Sequence, residues 1–389
     1  MADGGPIFSA VSSNAHHLYT LLQCIGFASQ ATVQITPDGI RVSVEEGRVV
    51  QGLAFLDKAL FTSYTFNQTT ETTNESENND DSSDIAYYPH FVISLSALLE
   101  TLKIFGINDS PGSGSNKAVS VQPSNPTASS AFTTPALLMD QSCTLQYFQH
   151  GSPLSITLTE AGVKTICELN TYEPDGREVD IPLQRDAIIM KIIMRSAWLH
   201  NAISELDATN PNILKVSASA TKAPFFALSG SGGPFSESVV EFSIDQQQQQ
   251  QQDIQNGAHQ PQAHHKLLGD DGTSRSRARR AQLAPTVTET FLVSPPSSMG
   301  SRIVQDYRFP LIRKAARAMA VANKVSIRGD RQGVLSLQFM IELDENGPNN
   351  RSSRESTGGS SGTVTFVDFR FVPLLDENEA EDELREEED

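Results

Sequence analysis

The chain has 389 residues, of which 38% are hydrophobic and 7% aromatic, and a formal net charge of −18. That length holds two domains or one domain with large insertions, and the composition is that of a folded core diluted by polar segments, which excludes a wholly disordered chain. The three cysteines, Cys24, Cys143 and Cys167, are odd in number and far apart, so they frame neither a disulfide scaffold nor a Cys-x-x-Cys metal site and point to a reducing compartment.

In chain order, "PIFSAVSS" (6–13) reads as a short strand. The helix "NAHHLYTLLQCIGF" follows, with Leu18, Leu21, Leu22 and Ile25 on one face and Ser13 or Asn14 as N-cap. "ATVQITPDGIRVSVEE" predicts a hairpin around Pro37-Asp38-Gly39, continued by "VVQGLAFL". A second helix, "SLSALLETLKIFG", places Leu95, Leu98, Leu99 and Leu102 together and ends at Gly106; the strands "CTLQYFQH", "SPLSITLTE" and "VKTICELN" come next.

The second half repeats this order. "AIIMKIIMR" leads into the helix "SAWLHNAISELD", with Leu199, Ala202, Ile203 and Leu206 as its apolar face. The strands "NILKVSASA", "FFALSG" and "SVVEFSI" precede the helix "LIRKAARAMAVA", whose first turn suits Pro310. "KVSIRGD", "GVLSLQFMIEL" and "TVTFVDFRFVPL" close the half, with Arg328-Gly329-Asp330 expected in the turn between two paired strands. Two copies of strand, helix, strands, helix, strands predict an α+β fold with internal pseudo-symmetry.

Four polar stretches interrupt this pattern, at about 67–84, 109–130, 245–284 and 345–362. They lack the apolar surface to offset ordering entropy and are expected to be disordered loop insertions. The expected domains are 1–170 and 185–375, joined by a connector at 171–184 and followed by an acidic disordered tail at 376–389. That tail carries ten acidic residues and one Arg, so it supplies half of the net charge. No window reaches the roughly 18 apolar residues of a membrane span and no basic segment leads a long apolar run near Met1, so a soluble intracellular protein is expected.

Against this acidic background, eight Lys/Arg and only two Asp fall between Arg302 and Arg331. On the last helix, Leu311, Ile312, Ala315, Ala316 and Met319 share one side, and Arg313, Lys314 and Arg317 project from the other. Such a face is either ordinary solvated surface or a site for a polyanion, held by salt-dependent and sequence-independent phosphate contacts. The other helices present His16, His17, Thr20 and Gln23; Glu100 with Lys103 on its flank; and Asn201, Ser204 and Glu205. Nothing here has the pattern of a recognition helix, a zinc finger or an aromatic stacking motif.

With its elements in this order, the chain resembles the Rad-one subunit family of the DNA-damage checkpoint clamp, the heterotrimeric "nine-one-one" relative of the proliferating cell nuclear antigen. The blocks that carry the resemblance are "DGIRVSVEE" (38–46), "ISLSALLETLKIFG" (93–106), "SPLSITLTEAGVKTICELNTYEP" (152–174), "IIMRSAWLHNAISELD" (192–207) and "KVSIRGDRQGVLSLQFMI" (324–341). It implies a clamp fold of two like domains, and a ring of three subunits whose helices line a channel around double-stranded DNA. Arg313, Lys314, Arg317 and Lys103 would then face DNA. The implied partners are two sister subunits, a clamp loader, and repair and checkpoint proteins, in the nucleus, with no membrane. By the same resemblance the connector "YEPDGREVDIP", beginning at Tyr172, Glu173 and Pro174, borders a hydrophobic pocket for partner peptides.

Other functions stay open beside this one. The family has also been described as 3′–5′ exonucleases, which need carboxylates converging on divalent metals. Glu45, Glu46, Glu160 and Asp207 are the acidic residues within patterned segments, and their spacing forms no familiar ligand set; Glu45 and Glu46, adjacent on a strand, point to opposite faces. No catalytic residue, metal site, cofactor or phosphate-binding Gly-rich loop is expected. A homotrimeric replicative clamp is a further alternative. His259, His264 and His265 sit in a Gln-rich tract and read as solvated, and "RSRARR" (275–280) reads as a nuclear localisation signal or a generic basic loop.

Overall fold

A computed structural model describes residues 5–67, 88–104, 142–160, 162–174, 176, 180–244, 288–343 and 363–374. The expected insertions, apart from Asn67, and the acidic tail lie outside the described residues, as do Gly106, the three histidines at 259–265 and the basic run at 275–280. The chain divides into two units, Met1–Asp180 with Met340–Phe369, and Ile181–Phe339 with Arg370–Asp389.

In the first unit β1 (Phe8–Ser12) runs into α1 (Ala15–Cys24), followed by β2 (Gln30–Thr36), β3 (Gly39–Glu46), β4 (Val50–Asp57) and the short β5 (Ser63–Phe66). β6 (His90–Ser94) then runs into α2 (Leu95–Lys103), followed by β7 (Ser142–Tyr147), β8 (Leu154–Glu160) and β9 (Val163–Leu169). Asn14 caps α1 by accepting from the His16 N–H, and Ser94 caps α2 by accepting from the Ala97 N–H. Gly39 closes the β2–β3 hairpin where a Cβ would stand 2.4 Å from the Leu56 carbonyl oxygen, so no side chain fits.

The two lead strands are exchanged. β1 pairs not with β2, β3 or β4 but with β7, Ala10 opposite Leu145, and on its other side with the short β5, giving the sheet β5-β1-β7-β8-β9. β6 pairs with β2, Val92 opposite Thr32, and extends the run β18-β4-β3-β2-β6, where β18 is Thr363–Phe371. The exchange welds the two strand-helix-strand modules into one core. The alternation legible in the sequence supplies that core: Val33, Ile35, Ile40, Val42, Leu56, Leu145, Ile156 and Leu158 are all buried, along with Leu18, Leu22, Leu98 and Leu102 from the helices.

The second unit repeats the plan. β10 (Ile188–Arg195) enters α3 (Ser196–Asp207), followed by β11 (Ile213–Ala218), β12 (Phe226–Ser231), β13 (Glu237–Phe242) and β14 (Thr288–Val293). β15 (Ile303–Arg308) enters α4 (Phe309–Ile312) and α5 (Ala316–Val321), followed by β16 (Lys324–Asp330) and β17 (Leu335–Leu343). Again the lead strands are exchanged: β10 lies in the run β14-β10-β16-β17, and β15 in the sheet β13-β12-β11-β15.

Three local expectations are corrected. The last helix is not continuous, because Arg313–Ala315 forms a tighter 3₁₀ turn between α4 and α5. Side chains three apart eclipse in such a turn. Ile312, Ala315 and Ala318 therefore form the buried line with Met319, whereas Leu311 and Ala316, expected in the core, are only half-buried. The Arg-Gly-Asp tripeptide is the end of β16 rather than a turn. Asp330 is buried and receives the Val334 N–H at 2.9 Å and the Gln184 N–H at 3.0 Å, so it organises the turn that follows. Finally, β5, β6, β14 and β15 have no counterpart in the sequence reading: β6 and β15 merge into helices, and β5 and β14 are edge strands with ragged alternation.

Candidate nucleic-acid interface

The helices of the second unit have one committed face and one outward face. On α3, Leu199, Ala202, Ile203 and Leu206 are buried, and the Ser196 hydroxyl donates to the Met319 carbonyl at 2.8 Å, tying α3 to α5. Outward stand Arg313 and Arg317, both exposed, and Lys314, half-buried. The three expected cations thus share the polar side of the α4–α5 segment. Arg313 is also engaged within the unit: its Nε lies 3.2 Å from Asp207 Oδ1 at the end of α3. The two side chains are 52% and 38% exposed, so the pair is weak and exchangeable. The sequence reading had no means of finding it, since the partners are about a hundred residues apart.

The eight cations between Arg302 and Arg331 prove to have different duties. Arg302 is structural, donating to Ser217 Oγ (2.9 Å) and to the carbonyls of Pro224 (2.8 Å), Lys222 (3.0 Å) and Ala223 (3.2 Å). Lys324 pairs with Glu289 at 2.8 Å across the sheet. Arg308 and Arg331 are exposed at element ends, and Arg328 is half-buried in β16.

In the first unit the outward face is more mixed. Lys103, at the end of α2, is exposed and holds its Nζ 5.4 Å from the centroid of the Tyr19 ring on α1. Tyr19 itself is buried, which the apolar-face reading of α1 omitted. Glu100 and His16 are exposed on the same helix pair. On α3, Trp198, the single tryptophan, is 39% exposed beside Asn201 and Glu205.

The connector is anchored at both ends. Tyr172 exchanges two backbone hydrogen bonds with Val92, at 2.8 and 2.9 Å, extending the β6 edge. Asp180 accepts from Arg41 on β3 and from Gln51 on β4, at 2.5 and 2.8 Å. Between these anchors Tyr172 and Glu173 are exposed and Pro174 is half-buried; residues 175 and 177–179 lie outside the described set.

The carboxylates considered for metal chemistry are dispersed. Glu45 accepts the Arg48 N–H, Glu46 is exposed at the end of β3, Glu160 ends β8, and Asp207 is held by Arg313. Among the described residues no three His, Cys, Asp or Glu side chains gather as metal ligands would. Burial pushes the Cys143 thiol up to about 12, leaving it neutral and inert; Cys24 is also buried, and Cys167 half-buried. No described helix is long and apolar enough to cross a membrane.

Twice-repeated helix pairs on exchanged antiparallel strands define a DNA-clamp fold. The same fold is found in the proliferating cellular nuclear antigen of Entamoeba histolytica, with a TM-score of 0.55 and 11% identity over 95% of this chain and 100% of that one. Within that class, the sequence model of the family described as "Repair protein Rad1/Rec1/Rad17" matches residues 7–341. The chain belongs to this family. It is 28% identical to the DNA damage checkpoint control protein rad1 of Schizosaccharomyces pombe, over 95% of this chain and 87% of that protein. It is 27% identical to the human cell cycle checkpoint protein RAD1, over 94% and 92%. A shorter match, 26% identical, joins 51% of the chain to 39% of the DNA repair exonuclease REC1 of Mycosarcoma maydis.

Proposed function

We propose that this protein is a non-catalytic subunit of a heterotrimeric DNA sliding clamp, loaded at damaged DNA by a clamp loader and acting in checkpoint signalling and repair in the nucleus. The observation that carries the reading is the outward side of α4–α5, where Arg313, Lys314 and Arg317 stand on a clamp fold whose opposite side is core. Family membership and the checkpoint names of the full-length relatives support the cellular role. The mechanism is topological. A closed ring holds duplex DNA without sequence-specific contacts, and the cations move from phosphate to phosphate as the ring slides. Lys103 contributes a weaker contact from the first unit.

Ring closure needs adhesive edges. β9 ends its sheet with Val163 and Ile166 exposed at 58% and 57%, and β13 ends its sheet with Val239 exposed at 51%. Apolar residues on sheet edges invite pairing with another chain. These edges are the contacts offered to the two sister subunits. The exposed Tyr172–Pro174 segment is offered to repair and checkpoint partners.

Co-expression with the two sister subunits, followed by native mass spectrometry, tests the reading. One copy of each subunit is expected, with assembly lost on Val163→Asp/Ile166→Asp. A stable homotrimer of this chain alone would favour the replicative-clamp alternative. The likeness to the Mycosarcoma exonuclease supports a second reading, 3′–5′ exonuclease activity. Degradation of end-labelled duplex in Mg²⁺ that co-purifies with the chain and disappears in a carboxylate variant would establish it.

A further inference from the structure

If β9 and β13 are the ring contacts proposed above, the charge on their outer faces decides which chain can meet them. The register of β9 with β8 sets Leu158 opposite Thr165, Ile156 opposite Cys167 and Leu154 opposite Leu169. Leu154, Ile156 and Leu158 are buried, so Thr165, Cys167 and Leu169 share the core face. Lys164, Ile166 and Glu168 therefore stand on the outer face, and all of them are exposed. The register of β13 with β12 sets Leu228 opposite Val240 and Phe226 opposite Phe242. Phe226, Leu228 and Phe242 are buried, which leaves Glu237, Val239 and Glu241 on the outer face, again all exposed. On each edge an apolar residue is thus flanked by charge on both sides: Ile166 by Lys164 and Glu168, and Val239 by Glu237 and Glu241.

A second copy of this chain does not match both flanks of β13. Consider a pairing that keeps the two core faces on one side and sets Ile166 against Val239. Antiparallel strands then place Lys164 against Glu241 and Glu168 against Glu237. Parallel strands place Lys164 against Glu237 and Glu168 against Glu241. In either direction one carboxylate directly opposes another, which destabilises the pairing. Sliding the strands by two residues sets Ile166 against a carboxylate instead. We propose that these flanks select the sister subunit: β13 takes an edge strand of a different polypeptide in which Lys or Arg stands two residues to either side of an apolar residue, and Glu168 turns away a second copy of this chain. Such a strand meets Val239 with its apolar residue and both carboxylates with cations, so attraction and repulsion work together in choosing the partner.

Glu168→Lys tests this directly, because it gives β9 the flanks that β13 seeks at an exposed position. In sedimentation equilibrium of the chain alone at about 50 mM salt, the variant is expected to self-associate about tenfold more tightly than the parent chain, a gain that disappears near 1 M salt. Adding Glu237→Lys/Glu241→Lys to the same chain should abolish the gain. Glu237→Lys/Glu241→Lys alone, co-expressed with the sister subunits, should keep one sister at full affinity and bind the other about tenfold more weakly. Unchanged self-association of Glu168→Lys, or undiminished binding of both sisters by Glu237→Lys/Glu241→Lys, would overturn the proposal. The clamp reading fails separately: if Val163→Asp/Ile166→Asp still removes assembly while Glu168→Lys has no effect, the edges close a ring but their charge does not choose the partner.

Discussion

Neutralising the outward cations of α4–α5 is the sharpest test of the DNA-facing surface. In Arg313→Gln/Lys314→Gln/Arg317→Gln, each lost phosphate contact should reduce the slope of log K against log salt by about 0.9, so three contacts predict a decrease of about 2.7. Arg313 must leave Asp207, at 3.2 Å, to reach a phosphate. A partly exposed pair of that kind is worth about 0.2–1 kcal/mol, so that amount is set against the phosphate contact of Arg313. Each full contact is worth about three- to fourfold in affinity between 50 and 200 mM salt. The assay is retention of the assembled heterotrimer on circular duplex DNA over a salt series, with native mass spectrometry confirming that assembly is intact. An unchanged slope in the triple variant would refute the assignment of this face to DNA, whatever the retention at any single salt concentration.

Removing the competitor should act in the opposite direction: Asp207→Asn releases Arg313 and is expected to raise retention about two- to fivefold at low salt, an effect absent in the Arg313→Gln background, as a double-mutant cycle would report. Asp330→Ala leaves the buried Val334 N–H without its acceptor and removes the contact to the exposed Gln184 N–H, and should cost about 1–3 kcal/mol in urea unfolding, with DNA binding affected only through stability. Stability should also fall in alkali. Burial raises the Cys143 thiol, and burial followed by nearby aspartates raises the Tyr64 and Tyr307 hydroxyls. These groups stay neutral when folded and ionise first in the unfolded chain, so their contribution is complete below pH 9 and is lost as pH rises; Cys143→Ala should flatten the early part of that decline. Asp180→Ala frees Arg41 and Gln51 and should speed amide exchange in residues 172–182 by releasing one anchor of the connector.

Much of this architecture is written in local patterns. Period-two alternation in "ATVQITPDGIRVSVEE" and the Leu18/Leu21/Leu22/Ile25 stripe are direct consequences of which faces meet the core, and those elements lie where the sequence reading expects them. β6 and β15 were illegible because each runs into a helix with no turn residue at the boundary and neither carries the long apolar run that marks β10. The 3₁₀ turn was illegible because "IRKAARAM" satisfies period 3.6 and period 3 about equally well, and packing against α3 decides between them. At the candidate site, the cationic side of α4–α5 could be read from spacing alone, but the Arg313–Asp207 pair depends on tertiary contact. The cations of β10 and β16 could have been noticed, since Lys191 and Arg195, like Lys324 and Arg328, stand four apart on strands. Only the register shows that they oppose one another.

The exchange of lead strands explains why positive charge can gather on an acidic protein at these places. Each helix is entered from a strand fixed in the neighbouring module's sheet, so one side of the helix is bound to the core from its first turn. Its other side carries no packing duty, and its charge is set by the solvent or by a partner. The outer faces of β10 and β16 are freed in the same way by the burial of Ile192, Met194, Val325 and Ile327 behind them. Opposed like charges on such a face, and a cluster of cations on such a helix, both lower stability in isolation. They are tolerated where an anion restores the balance.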